Sequence, residues 1–125
     1  MTITREERNE RTEKLLAGLI AQRGVTAAAI VDSDGFVNHI RRDFEIDADA
    51  LGAAVQIMYG SAERAANNVG QGAASIVLSE NSDGLVMLAP FGKGFILAVV
   101  ADKEVMLGAV RFEVKEAVTD LNKMY

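Results

Sequence analysis

One strand-length run sets the terms for the whole chain. Phe95-Ile96-Leu97-Ala98-Val99-Val100-Ala101 is apolar at every position. A strand with one face in water alternates apolar and polar residues, so this run must be covered on both faces. Upstream, Ala74–Ser79 and Leu85–Ala89 are also rich in Ile, Val and Leu. Asn81-Ser82-Asp83-Gly84 and Pro90-Phe91-Gly92-Lys93-Gly94 separate the runs, and both are turn compositions. Gly72–Ala101 therefore predicts three consecutive antiparallel strands, with the single proline at a strand end.

The covers come from helical patterns on either side. Thr4–Arg23 reads as a helix, with Thr4 and Glu7 spaced as a capping box. Its opening turns mix Arg5, Glu6, Glu7, Arg8, Glu10, Arg11, Glu13 and Lys14, as a solvated surface with i,i+4 pairs does. Leu15, Leu16, Leu19 and Ile20 form its apolar stripe, and Gly24 stops it. A hairpin follows, Val25–Asp32 and Phe36–Arg41 around Ser33-Asp34-Gly35. A second helix runs from Asp47 or Asp49 to Asn68, with an aspartate as N-cap. At 100° per residue its inner face is Leu51, Val55, Met58, Ala62, Ala65, Ala66 and Val69. Its outer face is Ala53, Gln56, Gly60, Glu63 and Asn67, flanked by Ile57 and Tyr59. The last helix, Lys103–Met124, buries Leu107, Val110, Val114, Ala117, Val118 and Leu121 and turns Phe112 outward.

The order helix, strand, strand, helix, three strands, helix predicts an α+β fold: a three-layer α/β/α sandwich around a five-stranded, mostly antiparallel sheet. The second helix covers one face and the other two helices the opposite one. Ala74–Ser79 falls at a sheet edge, with neither lysine nor proline to discourage pairing. A twofold dimer through Ala74, Ser75, Ile76, Val77, Leu78 and Ser79 would make one continuous sheet. It would also set the second helices side by side, where Ala53, Ile57 and Gly60 allow close approach.

Composition narrows the chemistry. At 125 residues and 50% hydrophobic, the chain is read as a single domain, residues 1–125. A net charge of -5 argues against nucleic acid or an anionic membrane as partner. There is no cysteine, no apolar leader at the N-terminus and no run long enough to span a membrane, so the expectation is a cytoplasmic protein. Asp32-Ser33-Asp34-Gly35 has its glycine too early for a calcium loop, and His39, the only histidine, is read as a surface strand residue. Phe91-Gly92-Lys93-Gly94 lacks the spacing and following helix of a phosphate loop. With no cysteine and one strand histidine, nucleophile–base triads are poorly supported, so no catalytic residue, metal ligand or cofactor is expected.

Taken together, Leu15-Leu16…Gly24-Val25…Ile30-Val31-Asp32…Asp34-Gly35, Asp47…Leu51, Ser61-Ala62, Gly84-Leu85-Val86…Pro90-Phe91-Gly92 and Phe95–Val99 resemble the Roadblock/dynein-light-chain family, including its bacterial MglB-type members. The resemblance covers nearly the whole chain and implies a homodimer that docks on a small Ras-like GTPase as a scaffold or GTPase-activating partner. It also implies that the second helices and shared sheet, here Ala53–Asn67 and Ala74–Ser79, form the assembly and partner surfaces. Gln56, Tyr59, Glu63, Arg64 and Asn67 are then the expected partner contacts, joined by Arg41 and Arg42 from the strand end. Those arginines also invite comparison with an arginine finger, although exposed arginines at a strand end are commonly only solvated. The chain ends at Tyr125 directly after the last helix, without the longer tail of some MglB-type members. Two other readings stay open. One is a scaffold of a motor or signalling complex without a GTPase. The other is a small-molecule sensor, to which the alanine-rich strands (Ala27, Ala28, Ala29, Ala98) would have to lend space.

Overall fold

The computed structural model describes residues 2–125. The elements are α1 (Arg5–Ile20), β1 (Val25–Val31), β2 (Val37–Arg42), α2 (Ala48–Asn68), β3 (Val77–Asn81), β4 (Gly84–Phe91), β5 (Phe95–Asp102) and α3 (Leu107–Met124). The strands form one five-stranded sheet in the order β2-β1-β5-β4-β3, and every pairing is antiparallel. The all-apolar run Phe95–Ala101 lies in the central strand, the position its composition demands.

Both faces are covered as expected. On one, Leu16 and Leu19 of α1 and Val110, Val114, Ala117 and Leu121 of α3 meet Ala28, Ile30, Met87, Ala89, Leu97 and Val99. On the other, Val55 of α2 meets Val31, Leu88, Ile96 and Ala98. Full burial of a Leu, Ile or Val contributes about 1.5–3 kcal/mol relative to exposure, so the α1/α3 layer carries most of the apolar stabilisation. The alanines admit close packing rather than space: Ala27, Ala28, Ala29 and Ala98 are all buried. Phe112 is exposed, as its helical phase predicts.

Local signals act close to where they were read, with telling differences. Thr4 caps α1, its Oγ1 accepting from the Glu7 N–H at 3.1 Å, but the Glu7 carboxylate accepts from the Thr4 hydroxyl rather than from a backbone N–H. Helix α1 ends at Ile20, short of Arg23, and the chain passes through a turn to Gly24 at φ 87°, where a side chain would strike the backbone of Glu104 and Val105. Asp47 caps α2 through the Ala50 N–H at 3.1 Å. Helix α3 starts at Leu107 rather than Lys103, because Lys103 and Glu104 form a turn in which the Asp102 carboxylate accepts the Glu104 N–H. Pro90 lies one residue inside the end of β4.

The chain's far ends meet in an aromatic cluster. The Tyr125 ring packs edge-on to Phe91 and Phe95, at centroid distances of 5.1 and 4.9 Å, and Arg8 stands 4.5 Å over its face. The buried Thr12 hydroxyl donates to the Arg8 carbonyl and accepts from Tyr125 Oη, both at 2.8 Å. Asn122 accepts the Gly92 N–H at 2.8 Å, tying the β4–β5 turn to the end of α3.

Candidate interaction surface

Helix α2 is set on the sheet by its glycine and its polar side chains. Gly52 is buried against the β1–β2 turn, where a Cβ would run into the Gly35 carbonyl. Gln56 points inward, its Nε2 donating to the Asp32 carbonyl at 2.6 Å and to the Gly94 carbonyl at 3.4 Å. It thus joins α2 to the two hairpin turns on that side of the sheet. Tyr59 also turns in: its hydroxyl donates to the Glu63 carboxylate and lies 3.3 Å from the Ala74 carbonyl. Glu63 in turn accepts the Ala74 N–H at 3.3 Å. Burial, reinforced by the Glu63 carboxylate, pushes the Tyr59 phenol up to about 12.

These bonds correct the helical wheel. Gln56, Tyr59 and Glu63, expected as partner contacts on the outer face, are engaged inside the molecule. Ala65 and Val69, expected inside, are exposed. A wheel sorts residues by polarity, whereas here backbone carbonyls at the rim of the sheet draw polar side chains inward. The remaining outward residues hold their expected places. Ala53, Arg64 and Asn67 are exposed, Ile57 is 69% exposed, and the space over Gly60 is open to 4 Å.

The edge strand is also displaced from its expected span. Val77, Leu78 and Ser79 lie in β3, but Ala74, Ser75 and Ile76 form an irregular lead-in, and the strand continues instead through Glu80 and Asn81. Glu63 accepts the Ala74 N–H and the Tyr59 hydroxyl lies against the Ala74 carbonyl, which holds that residue toward α2 rather than in the ladder. Glu80 therefore supplies a charge within the edge that the expected span lacked. Val77 packs partly toward α2, whereas Ile76 and Leu78 pack toward the α1/α3 layer. A concavity of about 620 Å³ lies between the lead-in and the C-terminal half of α2, walled by Ala62, Ala66, Val69, Ala74 and Ile76.

Arg41 and Arg42 project to opposite sides of β2. Arg41 Nε lies 3.3 Å from Glu13 Oε2 on the α1 side. His39 joins it, with Nδ1 3.0 Å from Glu13 Oε1, and only 15% of its side chain is exposed. The histidine read as a surface residue is therefore largely covered by α1. The His39 hydrogen bond, with Arg41 assisting, holds the Glu13 carboxyl below its ordinary range. Arg42 reaches Glu45 at 3.6 Å and the Phe44 carbonyl at 3.4 Å. At the base of the hairpin, Asp32 accepts from the side chain of Asn38 and from the N–H groups of Phe36 and Asp34; these bonds, the Asn38 one first, lower its pKa. The sequence signal for it was present in the Asp-Gly turn. Among the described residues no three His, Cys, Asp or Glu side chains group to hold a metal, and no helix is long and apolar enough to cross a membrane.

Comparison with known proteins places this arrangement. The Roadblock/LC7 domain profile matches residues 11–101. An uncharacterized protein of Methanocaldococcus jannaschii, MJ0310, is 29% identical over 113 residues, covering 90% of this chain and 98% of its own length. The solved gliding protein MglB of Thermus thermophilus superposes with a TM-score of 0.87 at 19% identity, covering 98% of this chain and 93% of its own. A Roadblock/LC7 domain from Streptomyces avermitilis gives 0.80 at 24% identity, covering 88% and 93%. With the matched region running from within α1 to the end of β5, the chain belongs to the Roadblock/LC7 domain family.

Proposed function

We propose that this protein is a homodimeric regulator or docking partner of a small Ras-like GTPase. Membership of the Roadblock/LC7 family carries the reading. The free β3 edge and the outward Ala53, Ile57 and Gly60 of α2 support it. Antiparallel self-pairing centred on Ser79 extends the sheet across a twofold axis and keeps the two Glu80 side chains from facing each other. Partner contact then falls to the outer side of α2, at Arg64 and Asn67, with Arg42 beyond. Switch regions of a GTPase are ordered by the γ-phosphate, so a partner that reads them distinguishes GDP from GTP. The sequence offers no cysteine and only one histidine for catalysis, so any stimulation of hydrolysis is expected to come from reshaping the GTPase's own site.

Light scattering tests the assembly: a dimer is expected at micromolar concentration, and Ser79→Lys, which opposes two charges at the axis, should break it. Binding to a Ras-like GTPase of the source organism, loaded with GDP or a GTP analogue, tests the function. State-dependent binding supports the reading. Equal or absent binding turns it into a plain scaffold of a larger complex. The sensor alternative gains little from the two larger concavities, which are open hollows; a smaller, more enclosed one of about 240 Å³ lies between Ile76, Ala89, Val114 and Val118.

A further inference from the structure

We propose that the free edge of β2, at the opposite side of the sheet from β3, takes an extended peptide with one carboxylate two residues from an aliphatic side chain, by strand addition. The backbone groups on offer follow from the register. The Asp43 N–H donates to the Thr26 carbonyl at 3.0 Å, and the ladder continues through Ala28↔Arg41 and Ile30↔His39. Antiparallel pairs alternate between those that exchange both hydrogen bonds and those that exchange none. His39 and Arg41 therefore direct their N–H and C=O groups at β1, while those of Ile40 and Arg42 point away from the sheet. Among the described residues, no strand pairs with β2 on that side.

The side chains specify the occupant. Ile40 and Arg42 pair with Ala29 and Ala27, which alternate with the α1/α3-facing Ala28 and Ile30, so both stand on the α2 side. They line a shallow concavity of about 620 Å³ with Arg41, Asp43, Phe44 and Glu45. The contacts of Arg42 are local and replaceable: its carboxylate partner Glu45 is fully exposed at 3.6 Å. Phe36 and Phe44, 64% and 46% exposed, bracket the strand. Main-chain bonds to such an edge give affinity, and alternate side chains give specificity. The fitting peptide places an aliphatic residue beside Ile40 and a carboxylate two residues away beside Arg42. Asp43 and Glu45 at the rim reject a longer acidic run. Arg41 borders the hollow, but its guanidinium is matched by Glu13 on the other face, which leaves Arg42 to meet the carboxylate. The site is distinct from the β3 dimer edge and shares only Arg42 with the proposed GTPase contacts, so peptide binding is read here without any GTPase present.

The experiment is selection of a random dodecapeptide phage library on the full chain, followed by amide hydrogen exchange with the enriched peptide synthesised. Enrichment of an aliphatic–x–Asp/Glu pattern is expected, with slowed exchange at Ile40 and Arg42. Ile40→Pro removes an outward N–H without breaking the β1 ladder, as proline does on edge strands. It and Arg42→Glu should each weaken binding by about tenfold or more; Arg42→Glu decides the matter if Ile40→Pro misfolds by circular dichroism. No enrichment, binding unaffected by either folded variant, or protection confined to β3 overturns the proposal. So does protection of Ile40 in the peptide-free protein that depends on protein concentration, since a second copy would then hold the edge.

Discussion

Alanine at Gly52 should destabilise the protein, while alanine at Gly60 on the same helix should stabilise it. Both substitutions gain about 1 kcal/mol of helix propensity. At Gly60 nothing lies within 4 Å of the new methyl, so the monomer keeps that gain. At Gly52 the methyl would sit 3.1 Å from the Gly35 carbonyl carbon and 3.4 Å from Val37 Cγ2, and nearer still to the Gly35 oxygen. That obstacle is backbone, fixed by Gly35 at φ 85° and by its N–H donating to the Asp32 carbonyl at 3.0 Å, so α2 must lift. Overpacking of this kind costs up to about 3 kcal/mol, which leaves a net loss near 2 kcal/mol after the propensity gain. For a chain of this size 1 kcal/mol moves Tm by about 4 °C, giving a fall of about 8 °C for Gly52→Ala and a rise of about 4 °C for Gly60→Ala. Thermal melts followed by circular dichroism at low and high protein concentration separate the monomer's change from any effect on association. A rise in Tm for Gly52→Ala would refute the close approach of α2 to the β1–β2 turn.

Three further outcomes are expected. Gly60→Leu should keep the native circular dichroism spectrum yet lose self-association or partner binding; an unfolded variant would put Gly60 in the core. Because the folded Glu13 pKa is depressed, its contribution to stability is present above its ordinary 4.5 and is lost as the pH falls below that value, so Glu13→Gln should flatten the acid limb of denaturant midpoints against pH, and an unchanged limb would count against the His39–Glu13–Arg41 cluster. Arg41→Ala and Arg42→Ala should lower any stimulated GTP hydrolysis only slightly, whereas loss of an inserted arginine costs roughly 10³-fold or more with binding retained.

The layers of this fold were legible because they depend on apolar pattern alone. A strand apolar on both faces demands covers, and the stripe Val110, Val114, Ala117 and Leu121 supplies one of them. The candidate surface was legible only in part. Ile57 and Gly60 stand where the periodicity puts them. Gln56, Tyr59 and Glu63 do not, because their hydrogen bonds go to carbonyl and N–H groups of turns distant in sequence, which no local pattern reveals. The same bonds moved the start of β3 from Ala74 to Val77. His39 was misjudged for a related reason: its cover, Glu13, comes from another element. Gly52 has no local signal in the sequence, because the Gly35 carbonyl that requires it comes from the β1–β2 turn.

The strand order implies that the sheet is written in two instalments. The hairpin β1–β2 and the meander β3–β4–β5 are each local in sequence, and the seam between β1 and β5 alone stitches their ladders together. Such non-local pairing is slow to form, so the halves should be organised before the seam closes. A chain severed in the exposed connection between Gly70 and Gly72 would still hold both instalments, with Val25–Val31 and Phe95–Asp102 as matching torn edges. The two fragments, mixed after separate purification, should reconstitute the native spectrum; failure to do so would mean that an unbroken α2-to-β3 connection is needed to bring the edges into register.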